Sequence, residues 1–148
     1  MPDALSTTDG ERRVFAARRS ALPSAAAFVD AFCAAHRIGR ADALRLTLVV
    51  EELFTNSIAH GYGAESDAPI EMALAAAPGE IALLYEDAAP PYDPLSQYAG
   101  APGHLLATVE SRPAGGLGIH LVRELAASAR YAREDGRNRL WVRIACHP

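Results

Sequence analysis

The sequence predicts a two-layer α/β (α+β) sandwich, with a mixed, mostly antiparallel sheet and about three helices on one face. Three observations carry this. Apolar residues alternate with period two in Ile70, Met72 and Leu74 and again in Ile81, Leu83 and Tyr85, either side of a Pro78-Gly79 turn. A second hairpin closes the chain, Ser128–Glu134 and Asn138–Cys146 around Asp135-Gly136. Two helical segments follow one another before either hairpin. The order is strand, helix, helix, strand, strand, long loop, helix, strand, strand, which is not the alternation of a doubly wound fold and suits helices gathered on one face of the sheet.

Residues 1–10 are polar and are expected to form a flexible N-terminus, leaving 11–148 as a single domain. Arg12 to Arg19 reads as the first strand. Its paired arginines protect an edge by charge, or meet an acidic partner surface or a dimer edge. Pro23 sits in the first turn of a helix whose apolar residues Ala27, Phe28, Ala31, Phe32 and Ala35 recur at helical spacing, and Gly39 is its expected stop. The second helix runs from about Ala41 to His60 and ends in Gly61-Tyr62-Gly63. Residues 94–114, with Gly100, Pro102, Gly103 and Pro113, are too long for an ordinary connection and read as a lid. A third helix is expected from about Gly116 to Ala127.

Composition narrows the function. With 50% hydrophobic and 22% charged residues, the 148-residue chain reads as an ordinary globular domain. No apolar run approaches the ~20 residues of a membrane span, and the N-terminus lacks a signal pattern, so no membrane association and a cytoplasmic location are expected. A net charge of −4 argues against direct nucleic-acid binding. All 14 basic residues are arginine. The missing lysine excludes a Walker A loop and lysine Schiff-base chemistry. Cys33 and Cys146 lack metal-ligand spacing, and Cys33 reads as a small buried hydrophobe.

Three polar clusters carry the chemistry. In the second helix Glu52, Asn56 and His60 fall within an arc of about 80°, on a helix otherwise largely apolar, so the stripe should line a cleft. An Asn56 oxygen suits Mg²⁺, which takes few protein ligands. Glu52, one turn away, suits a general base, whereas Glu51 points about 100° off the stripe. His60, in the last turn, favours the helix dipole. Asp87 follows an apolar strand, where a carboxylate can accept from an exocyclic amine such as adenine N6; turn chemistry is the plainer account of such an Asp. Tyr92 packs against that base or against the core. Gly115, Gly116 and Gly118 open the third helix, where free amides attract anions, and Arg112 stands where it can reach a γ-phosphate. Together the clusters describe an ATP site.

With these residues in hand, the chain resembles the Bergerat-fold ATPases, the gyrase, Hsp90, histidine-kinase and MutL superfamily. Within it, the chain is most similar to the anti-sigma factor serine/threonine kinases of bacterial partner switching. Val50 to Tyr62 resembles their N box, Asp87 to Pro94 their G1 box, and Gly115-Gly116-Leu117-Gly118-Ile119 their G2 box. The resemblance implies Glu52 as general base, Asn56 as Mg²⁺ ligand, Asp87 as adenine reader and Gly116 and Gly118 on phosphates, with ATP and Mg²⁺ as cofactors. It also implies a homodimer that binds a sigma factor and phosphorylates an anti-anti-sigma antagonist. Two positions depart from the pattern. Ala89 replaces the G1 glycine, and its methyl is expected to crowd the base. The late-strand threonine that supports the adenine site is replaced by Asn138, or by Arg139 one register on. The alternative reading is an ATP-dependent binding module with little phosphoryl transfer. No preceding helix pair carries a phospho-accepting histidine, which argues against a histidine kinase.

Overall fold

A computed structural model describes residues 10–95 and 122–146. Its strands are β1 (Glu11–Ala16), β2 (Pro69–Ala77), β3 (Glu80–Asp87), β4 (Ser128–Glu134) and β5 (Arg137–Ala145). They form one sheet in the order β1-β2-β3-β5-β4, with every neighbouring pair antiparallel. Helices α1 (Leu22–Ala35) and α2 (Arg40–Asn56) fill the connection from β1 to β2, and residues 122–125 are helical just before β4. The two-layer sandwich is therefore as the sequence predicts.

Period-two alternation decides which strand residues meet the helices. Ile70, Met72 and Leu74 of β2 and Ile81 and Leu83 of β3 are fully buried on the inner face, together with Val142 and Ile144 of β5. Phe54 of α2 meets Phe15 of β1 edge-on, with ring centroids 6.2 Å apart. Phe54 is 0% exposed, so truncation to alanine removes packing that cannot be replaced. Phe54→Ala is expected to lower stability by about 3–5 kcal/mol, read as an earlier urea midpoint with unchanged slope.

The outer face is sealed differently. Alanines 73, 75 and 82 keep it flat, Leu84 and Trp141 pack over them, and the Arg130 guanidinium lies 4.0 Å from the Trp141 ring centre. Ion pairs cross the strands beside this patch: Arg12 with Glu71, Arg137 with Glu71 at 3.2 Å, and Arg139 with Glu86 at 2.6 Å. Arg12 thus protects the edge strand while satisfying a carboxylate. Arg13 instead crosses to the inner side, over the Phe28 ring.

The local boundaries shift where backbone geometry overrules residue type. β1 ends at Ala16, because Arg18 N–H turns back onto the Ala16 carbonyl at 2.8 Å and a single 3-10 turn follows. α1 is stopped by Arg37, at φ 56°, with Ile38 N–H donating to the Cys33 carbonyl at 2.9 Å. Gly39 is extended and opens α2 rather than closing α1. Leu44 is 58% exposed, whereas Val49, which the 100° wheel puts on the polar stripe, is fully buried. Cys33 is buried as expected, and that burial pushes its thiol up to about 11. Among the described residues no helix is long and apolar enough to cross a membrane.

Candidate functional site

The helical winding changes where the chemistry is expected. α2 ends at Asn56, and Ser57–Tyr62 continue as a π-helical turn that closes at Gly63, φ 84°. Gly63 is thus the stop, while Gly61 and Tyr62 lie inside the turn. Such turns are rare and concentrate at functional sites. Here the turn brings three side chains against the segment leaving β3. Ser57 Oγ donates to Asp87 Oδ2 at 2.7 Å. Tyr62 Oη accepts from Ala88 N–H at 2.8 Å. The exposed His60 ring stacks on Tyr92, with centroids 6.3 Å apart.

Asp87 is the last residue of β3 and sits directly opposite Asn138 of β5. Both are buried on the inner face, at 6% and 7% exposure. Asn138 Nδ2 donates to Asp87 Oδ1 at 2.8 Å and to the Pro90 carbonyl at 3.0 Å. Its Oδ1 accepts from Tyr131 Oη at 2.6 Å, Tyr92 N–H at 3.0 Å and Arg133 Nη1 at 3.2 Å. Register thus puts Asn138 on the inner face beside Asp87. Arg139 lies on the opposite face, paired with Glu86. Asn138 spends its amide on the protein, tying β3, β4 and the Pro90–Tyr92 segment together. Beneath Asp87, Ser57 Oγ lies 2.7 Å from Tyr85 Oη, which donates to the Leu53 carbonyl at 3.0 Å. Burial raises the Tyr85 hydroxyl well above the phenol range, with the Ser57 hydrogen bond opposing it.

Asn56, Asp87, Tyr92, Tyr131 and Asn138 line one small hollow of about 20 Å³, whose apolar wall includes Leu53 and Leu140. Asn56 is 3% exposed, and its Nδ2 has no hydrogen-bond partner among the described residues. A buried donor left unpaired costs about 1–3 kcal/mol, so a polar ligand that accepts from it fits the site. Ala89 is fully buried and does not line the hollow. Glu52 is half-buried one turn before Asn56 and also does not line the hollow. Burial first, then the Glu51 charge, raise its carboxyl pKa. Arg112 and Gly115 to Ile119 lie outside the described residues, as does the expected lid beyond Leu95.

Ser57, Tyr131 and Arg133 were not singled out from sequence. Ser57 is placed by the π turn, which no local pattern announces. Tyr131 and Arg133 were within reach of the period-two rule. They alternate on the inner side of β4, and Arg133 stands opposite Asn138 once the hairpin register is set.

Fold and pocket make this an α/β sandwich with a hollow between the sheet and the end of its second helix. The chain belongs to the histidine kinase-like ATPase domain family, which it matches over residues 15–144. Among solved structures it is similar to the RsbU and RsbW domains of Rv1364c from Mycobacterium tuberculosis. That likeness has a TM-score of 0.65 and 17% identity over 95% of this chain, and spans 34% of the length of that one. It is also similar to a chain of the SiaB-SiaC complex from Pseudomonas aeruginosa, with a TM-score of 0.56 and 16% identity over 93% of this chain and 89% of that one. No curated protein matches it. At these identities the solved structures speak for the fold.

Proposed function

We propose that the domain is an ATP-binding anti-sigma regulatory factor that phosphorylates a serine or threonine of an anti-anti-sigma antagonist. The observation that carries this is the Asn56 carboxamide, buried and with an unpaired Nδ2 in the same hollow as Asp87. Asp87 takes the adenine amine. Asn56 would hold Mg²⁺ through Oδ1, leaving Nδ2 to donate to a phosphate oxygen, and the ion would supply charge neutralisation at the phosphates. Glu52 accepts the proton of the attacking hydroxyl. Arg112 and the amides of Gly116 and Gly118 meet the phosphates. The working unit is a homodimer with a sigma factor as its second partner. Likeness to an RsbW domain and to SiaB, solved with SiaC, supports a regulator that acts on other proteins.

A thermal-shift series with ATP, ADP and GTP, with and without Mg²⁺, tests the site. Adenine nucleotides at about 100 times their Kd are expected to add about 2.7 kcal/mol, raising the midpoint by roughly 5–10 °C, while GTP leaves it unmoved. No response to any adenine nucleotide overturns the proposal. One observation favours a second reading, a nucleotide-dependent binding module with little transfer: Glu52 stands outside the hollow that Asn56 lines. Single turnover with labelled ATP and an antagonist separates the two, since the module binds its partner without passing on phosphate.

A further inference from the structure

Gly61 lies inside the π turn without positive φ, so its backbone conformation is open to any residue. Alanine is the better helix former, and a glycine at such a position calls for a packing reason. The reason is across the gap. A Cβ built on Gly61 meets Ala89 Cβ at 3.3 Å and Asp87 Oδ2 at 3.6 Å. The first distance is shorter than carbon atoms comfortably approach. Ala89 Cβ has no torsion with which to retreat, so its backbone must move. That backbone is tied to the site: Ala89 N–H donates to Asp87 Oδ1 at 3.2 Å, and the Ala89 carbonyl accepts from Arg133 Nη1 at 2.6 Å.

We propose that Gly61 is a positioning residue for the Asp87 carboxylate, its missing side chain being the complement of the Ala89 methyl. The pair acts as a unit. Glycine on the helix side lets alanine stand on the strand side, and the contact sets how far Asp87 reaches into the hollow. A methyl on both sides pushes the Asp87–Ala89 segment away from the π turn and lengthens the Ser57–Asp87 hydrogen bond. This inference rests on the reading of Asp87 as the group that takes the heterocycle's amine.

The test is a cycle of four proteins: wild type, Gly61→Ala, Ala89→Gly and the double variant. ADP affinity is measured by calorimetry, with far-ultraviolet circular dichroism to follow folding. Gly61→Ala is expected to weaken ADP binding by about tenfold or more, as when a hydrogen bond to a charged group is lost. Ala89→Gly and the double variant are expected within about threefold of wild type, because removing the second methyl reopens the gap. Recovery in the double variant distinguishes this contact from a general intolerance of side chains at 61. Wild-type affinity in Gly61→Ala, or a double variant as weak as Gly61→Ala, overturns the inference. Should Gly61→Ala fail to fold, the comparison of Ala89→Gly with the double variant decides: equal affinity supports the pairing, and a tenfold gap overturns it. A wild-type protein that binds no adenine nucleotide overturns the reading of Asp87 itself, and the inference with it.

Discussion

Glu52→Gln is expected to lower phosphoryl transfer by about 10²–10⁴-fold while ADP affinity stays within a few-fold of wild type. Glutamine keeps the shape and loses the ability to take a proton. The nucleotide contacts assigned above lie with Asn56 and Asp87, so a base acting on the partner's hydroxyl contributes little to binding. The same residue fixes the pH profile. Burial and the neighbouring Glu51 charge raise its pKa, so transfer rises with pH through a midpoint above the ordinary glutamate value. A second consequence needs no substrate. In the folded chain the carboxyl keeps its proton to higher pH than in the unfolded chain. Between the two pKa values the folded state therefore carries more protons, and stability falls as pH rises through that window. Glu52→Gln removes this penalty. The variant should melt above wild type at neutral pH, and the gap should close below about pH 4, where the carboxyl is protonated in both states. A variant with full transfer to its partner sinks the assignment, and one that melts below wild type at neutral pH sinks the electrostatic account of it.

What the sequence revealed and what it hid separate along a physical line. Strand pairing was legible because burial on one face imposes period two, and because Asp135-Gly136 adopts the positive φ values that a two-residue hairpin needs. Asn56 was legible as part of a polar stripe on an otherwise apolar helix and Asp87 as a carboxylate following an apolar strand, and both line the same hollow. The π turn was not legible. A 100° wheel runs on smoothly through Ser57, and nothing in Ser57–Tyr62 marks the change in hydrogen bonding. That change brings Ser57 and Gly61 to Asp87. The meaning of Ala89 was hidden for the same reason. Its methyl is opposed by a glycine 28 positions earlier in the chain, a relation only the folded chain expresses. The choice between Asn138 and Arg139 hung on a one-residue register. Adjacent strand residues point to opposite faces, so that slip separates a buried hub from an outer-face ion pair.

Asp87→Asn should abolish adenine recognition while sparing the fold, and the hydrogen-bond chain beneath it says why. In the native site Ser57 Oγ donates to Asp87 Oδ2, and Tyr85 Oη lies between Ser57 Oγ and the Leu53 carbonyl with one proton for two acceptors. An asparagine that turns its nitrogen toward Ser57 reverses the chain. Nδ2 donates to Ser57, Ser57 to Tyr85, and Tyr85 to the Leu53 carbonyl, so every proton has a place. The oxygen stays toward Asn138 Nδ2 and Ala89 N–H, which need an acceptor. No buried group is stranded, so the melting temperature should change little, in contrast with Asp87→Ala, which leaves the buried Ala89 N–H without its acceptor at about 1–3 kcal/mol. The face offered to the ligand is altered, because an amide N–H stands where a lone pair took the adenine amine. ADP affinity is expected to fall by about 10²-fold or more, the loss that follows when a buried donor meets a donor. Inosine diphosphate presents a carbonyl at that position, and its affinity relative to ADP should rise, to parity or beyond. Calorimetry with the two diphosphates on wild type and Asp87→Asn reads both effects. Unchanged ADP binding in the variant removes Asp87 as the base reader, and a wild-type-like preference for ADP over inosine diphosphate removes the donor–acceptor logic even if affinity falls.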